Sequence, residues 1–162
     1  MSKISSGDVK KLREETSAGI ADCKNALEEC GGDFSKAKDW LKQKGLSIAN
    51  KKSGRVAAEG LVAVNNNGKE AVIVEVNSET DFVAKNQDFI NFVTQTASIA
   101  INCSSLEELK DTDYGNSNTV SGELLSLISK VQENLVLRKF EKITAKEGKL
   151  FHYVHSRVVD NV

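Results

Sequence analysis

Apolar residues recur at intervals of three and four through the N-terminal quarter of the chain: Val9 and Leu12, then Ile20, Cys23, Ala26, Leu27 and Cys30, then Phe34, Ala37, Trp40 and Leu41. That spacing puts each set on one face of a helix, so three short amphipathic helices are expected. Ser17-Ala18-Gly19 separates the first pair, Gly31-Gly32 ends the second helix, Asp33 is placed to cap the third, and Gly45 to stop it. The resulting module, residues 1–45, lies near the lower size limit for independent folding.

From Leu46 to Glu59 the apolar pattern thins, and Lys51, Lys52, Ser53, Gly54 and Arg55 read as part of a basic, flexible linker, residues 46–59. Next come Leu61-Val62-Ala63-Val64, the turn-rich Asn65-Asn66-Asn67-Gly68, and Ala71-Val72-Ile73-Val74-Glu75-Val76, the pattern of a β-hairpin. Its nearly continuous apolar strands call for cover on both faces or on most of one. Helical spacing returns at Phe82, Val83, Phe89, Ile90, Val93, Ala97 and Ala100. After a polar loop from Cys103 to Thr119 it returns again at Leu124, Leu127, Ile128 and Val131, giving two helices able to cover the sheet. Leu135 to Phe140 reads as a third strand, and Leu150 to His155 as the start of a fourth. The order predicts an α+β protein: a three-helix module, then a small antiparallel sheet covered by helices in a core subdomain, residues 60–146. Glu147-Gly148-Lys149-Leu150 echoes Glu59-Gly60-Leu61-Val62, so residues 147–162 are expected to begin a second, truncated subdomain.

Composition narrows the function. The 40% hydrophobic and 28% charged content is that of a soluble globular protein, and no stretch approaches the roughly 20 apolar residues of a membrane span. Met1-Ser2-Lys3-Ile4 runs directly into a charged helical pattern rather than a leader, so a cytoplasmic location is expected. Cys23, Cys30 and Cys103 form neither a disulfide framework nor a zinc motif and read as reduced thiols. A net charge of -1 argues against nucleic acid as the main partner. Lys51, Lys52 and Arg55 lack the aromatic interleaving of a single-strand binder. No metalloprotease, dinucleotide or P-loop motif is present, and His152 and His155 fall on opposite faces of the predicted strand. A non-enzymatic protein without cofactor or metal is expected.

Two stretches go further: Leu12-Arg13-Glu14-Glu15-Thr16-Ser17-Ala18-Gly19-Ile20-Ala21-Asp22-Cys23-Lys24-Asn25-Ala26-Leu27 and Glu75-Val76-Asn77-Ser78-Glu79-Thr80-Asp81-Phe82-Val83-Ala84-Lys85-Asn86. Both resemble the signatures of the elongation factor Ts family, and Glu133 to Phe140 is similar to one of that family's strands. The likeness runs from Val9 to Phe140. It implies a first module like a ubiquitin-associated domain, and a partner, elongation factor Tu, whose GDP the family releases. It further implies that Thr80, Asp81, Phe82 and Val83 enter between two helices of that GTPase and displace the elements positioning its Mg²⁺, with Phe82 as wedge. Leu12, Ile20 and Ala21 would dock the helical module. Family members continue into a second core subdomain and often a helical hairpin, so a truncated chain is expected here. Self-association and contacts to the far domain of elongation factor Tu stay open.

The residues by themselves leave alternatives standing. Asp81 fits a helix N-cap and Phe82 a core position, while Leu12 and Ile20 fit either core or contact. A ubiquitin-like or peptide-binding adaptor would explain the helical module, but it leaves Thr80 to Val83 without a role.

Overall fold

A computed structural model describes residues 4–16, 18–115 and 118–162. Met1 to Lys3 of the N-terminal reading, Ser17 of the first helix break, and Asn116 and Ser117 of the polar loop lie outside the described residues. The chain forms two compact units, one of residues up to Gly54 with Leu125–Glu133, the other of Arg55–Leu124 with Asn134–Val162.

The first unit contains helices α1 (Ser6–Thr16), α2 (Ile20–Glu29) and α3 (Phe34–Lys52). Ser5 and Asp8 cap α1 reciprocally: the Asp8 amide donates to Ser5 Oγ at 3.1 Å and the Ser5 amide to Asp8 Oδ2 at 3.0 Å. At the end of α2 the Gly31 amide donates to the Glu28 carbonyl and the Gly32 amide to the Leu27 carbonyl. This is the paired closure that a left-handed Gly31 permits. Asp33 then caps α3 by accepting from the Lys36 amide at 3.1 Å. Leu12, Ala18, Cys23, Ala26, Leu27 and Ala37 make the core, ringed by Ile4, Val9, Cys30, Phe34, Trp40 and Leu41.

Gly45 does not stop α3. The helix runs on to Lys52, so Lys51 and Lys52 are helical rather than part of a flexible linker. Gly45 is buried, and a Cβ on it would meet the backbone carbonyl of Leu125 at 3.4 Å. A methyl would just reach that passing backbone, and a larger side chain would run into it. That backbone belongs to a helix, α7 (Val120–Val131), whose portion from Leu125 lies in this unit. α7 was expected to cover the sheet, but its second half packs here instead. Lys52 Nζ also donates to the Gln132 carbonyl at 2.6 Å.

The second unit is built on an antiparallel sheet of β1 (Glu59–Asn66), β2 (Glu70–Ser78) and β5 (Val136–Thr144), in the order β1-β2-β5. The hairpin turns through Asn67, whose side chain accepts from the Lys69 and Glu70 amides. Val72, Val74 and Val76 of the central strand are fully buried beneath α5 (Gln87–Ala100) and the short α4 (Asp81–Ala84), which pack across β1 and β2. The other face leaves Val62, Ile73 and Ile143 exposed. Arg138 is an extra residue in β5: Glu75 pairs with Lys139 but Val76 with Leu137. Such a bulge sharpens the local twist where β2 approaches its end.

The polar loop from Cys103 to Thr119 contains more structure than expected. α6 (Leu106–Asp111) is capped by Ser105 and Glu108, and β3 (Asp113–Gly115) pairs with β4 (Asn118–Thr119). The expected fourth strand does not form. Residues 150–155 are irregular, and the bonds of this tail go to the hairpin turn and to the outer edge of β1. The Leu150 amide donates to the Gly68 carbonyl at 2.9 Å, and the Val64 amide to the Asn161 carbonyl at 2.9 Å. The tail meets the sheet unit through single backbone bonds of this kind rather than a continued ladder, so its alternation of residue types makes no strand.

Candidate functional site

β2 ends at Ser78, and the chain turns at once into α4. Thr80 is extended and caps the new helix, its Oγ1 accepting from the Val83 amide at 3.4 Å. Thr80, not Asp81, is therefore the N-cap, and the Asp81 side chain is left to pair with Lys85 Nζ at 2.6 Å. The hydrogen bond to Lys85, reinforced by its charge, holds the Asp81 carboxyl below the usual carboxylate range, and the same contact raises Lys85. Ala84 is buried and pins the turn to the sheet. Val83 is half-buried, whereas Phe82 is 81% exposed. The core reading of Phe82 therefore does not hold. A large aromatic on a capped, anchored turn is left facing solvent.

The segment leading into this turn is tied down by side chains. Ser78 Oγ donates to the Thr80 carbonyl at 2.9 Å, and Asn77 Nδ2 to the Glu59 carbonyl at 3.0 Å. Glu79 Oε1 accepts from the Asn134 amide at 2.6 Å, and its other oxygen lies 3.5 Å from Arg55 Nη1. Asn134 Nδ2 in turn donates to the Arg55 carbonyl at 2.8 Å.

In the helical unit, Leu12 is 0% exposed and sits in the core, so it has no surface to offer a partner. This corrects the expectation of a direct contact, because its place on α1 faces α2 and α3. Ile20 is 59% exposed and Ala21 is exposed beside it at the start of α2. Ile20 forms one wall of a groove of about 540 Å³ with Ile4 and Val9, rimmed by Lys10, Arg13 and Lys24. Apolar and basic side chains thus line the same groove.

Among the described residues no group of three or more His, Cys, Asp or Glu could hold a metal, and no helix is long and apolar enough to cross a membrane. His152 bonds Asn66 and Asn161, while His155 bonds Tyr153, so the two histidines serve separate contacts.

A family model described as Elongation factor TS matches residues 79–160, half of the chain. The chain belongs to the elongation factor Ts family. Similar relatives in this family include elongation factor Ts of Rickettsia bellii, 48% identical over 159 residues that cover 98% of this chain and 52% of the relative. Those of Methylobacterium nodulans and Xanthobacter autotrophicus are also 48% identical, covering 100% and 99% of this chain and 53% of each relative. The chain spans about half the length of the curated elongation factor Ts relatives it matches. The family match opens at Glu79, directly before the turn that carries Phe82. Sequence reasoning passed over Glu79 and Asn134 as parts of longer stretches and placed Arg55 in a solvated linker. No local signal joins three residues so far apart in the chain, although Glu79 and Asn134 each lie within a family-like segment.

Proposed function

We propose that this chain is a guanine-nucleotide exchange factor of translation elongation, which binds elongation factor Tu in the cytoplasm and promotes GDP release. The observation that carries the reading is Phe82, an exposed aromatic held on a rigid turn within the family-matched region. Exposed aromatics on fixed backbone are favoured anchors for a protein partner. A P-loop GTPase holds its nucleotide through a Gly-rich loop and a Mg²⁺ that bridges phosphate oxygens. Thr80, Asp81, Phe82 and Val83 enter between two helices of that GTPase and displace the elements positioning the ion. A protein that binds the nucleotide-free state best must weaken nucleotide binding by the same factor, so no catalytic acid, base or nucleophile is required.

Magnitude divides the labour. Fully burying a Phe contributes about 1.5 to 3 kcal/mol, one to two decades of differential binding. Further affinity comes from the helical module, residues 1–45, docking through Ile20 and Ala21. In this division residues 60–146 are the exchange subdomain. Phe82→Ala is expected to lower stimulated release of a fluorescent GDP analogue from elongation factor Tu by about tenfold to a hundredfold. Undiminished release by that variant would sink the wedge.

The groove beside Ile20 favours a second reading, a peptide-binding adaptor without exchange activity. It requires partner binding to survive Phe82→Ala and fail with Ile20→Asp, with no GDP release by the unaltered chain.

A further inference from the structure

Because Phe82 is packed against almost nothing, its direction is set by the backbone that carries it. On the C-terminal side that backbone is held by the Val83 amide, which donates to the Thr80 hydroxyl, and by buried Ala84. On the N-terminal side the Ser78 hydroxyl holds the Thr80 carbonyl, and the Glu79 carboxylate ties the strand end to residues remote in the chain. The Glu79 side chain is only 19% exposed; it accepts from the Asn134 amide at 2.6 Å and meets Arg55 at 3.5 Å. Asn134, itself buried, closes the ring by donating to the Arg55 carbonyl. Residues 55, 79 and 134, remote in sequence, thus converge on the residue before the N-cap. Exposed ion pairs contribute little. Here the shorter contact is a charge-assisted bond to a backbone amide, and losing it leaves a buried donor unsatisfied.

We infer that Glu79 is a positioning residue for the exchange turn: its carboxylate locks the end of β2 to Asn134 and Arg55, and thereby fixes the direction from which Phe82 approaches the GTPase. The inference rests on the exchange reading for its consequence, though the locking itself belongs to the free chain. Arg55 is then an anchor of the turn as well as a link in the chain.

The full chain tests it in two arms. In the free protein, Glu79→Ala speeds amide hydrogen exchange at Val83 and Ala84 by about tenfold, the worth of one such bond. Glu79→Gln, which keeps an acceptor oxygen for Asn134, restores slow exchange. Unchanged rates at Val83 and Ala84, or an equal acceleration at Val74 and Val76, overturn the locking role. With elongation factor Tu carrying a fluorescent GDP analogue, Glu79→Ala lowers the release rate at saturating chain, leaves the half-saturating concentration nearly unchanged, and adds nothing in a Phe82→Ala background. An equal loss in both backgrounds overturns the positioning of Phe82. An unaltered chain that fails to release GDP removes the exchange reading and the role assigned to Phe82, while the first arm still decides whether Glu79 holds the turn.

Discussion

At the scale of single residues, exposure separates the roles. Leu12 and Phe82 are both large and apolar, both in motifs that resemble the family, and on the sequence alone each fits core or contact. Burial assigns Leu12 to the core and leaves Phe82 in solvent. Periodicity could not distinguish them, because it reports which face of a helix a residue occupies and not whether that face is covered. Asp81 shows a parallel limit: Thr80 and Asp81 are both good capping types, and the backbone at Thr80 decides between them. The freed Asp81 carboxylate has a testable titration. Its pKa in the folded chain is lowered from 3.8 by Lys85, so the pair's contribution is present above the unfolded value and is lost as pH falls through the lower folded value. The Asp81 side-chain NMR titration should therefore have its midpoint below 3.8 and move up in Lys85→Met. A midpoint that ignores Lys85 would mean the pair is not formed in solution.

At the scale of elements, the readable parts were those whose cause is local. The paired closure at Gly31-Gly32, the Asp33 cap, the Asn-Gly hairpin and the apolar stripe of α5 all rest on neighbours within a few residues. α6 was missed inside the polar loop, although Ser105 and Glu108 stand at capping-box spacing ahead of an apolar position. Gly45 and the 150–155 segment were misread because their causes are remote. Gly45 answers to Leu125, eighty positions away, and its local helix-breaking tendency is overridden. This makes opposite forecasts for two substitutions. Gly45→Ala adds a Cβ at ordinary contact distance and improves helix propensity, so stability should hold or rise by about 0.5–1 kcal/mol. Gly45→Leu overfills the approach and should cost about 1–3 kcal/mol. Thermal unfolding of the pair compares them directly, and equal midpoints would mean that close approach is not what the glycine serves.

At the scale of the whole molecule, the α+β class and the three-helix start were legible, because each unit builds its core largely from its own stretch of chain. The departure is the return of Leu125–Glu133 to the helical unit, a long-range choice that no window of sequence displays. One consequence follows from the cysteines. Cys23 is buried in the core of the helical unit, Cys103 is buried in the sheet unit, and Cys30 is half-buried. Burial also pushes the Cys23 thiol up, further slowing its chemistry in the closed state. A thiol reagent should modify Cys30 first, while Cys23 and Cys103 wait for their own units to open. Mass-resolved labelling across a denaturant series would then yield two opening curves from one unaltered polypeptide. Curves that coincide would mark a single cooperative transition, and curves that part would show which half lets go first.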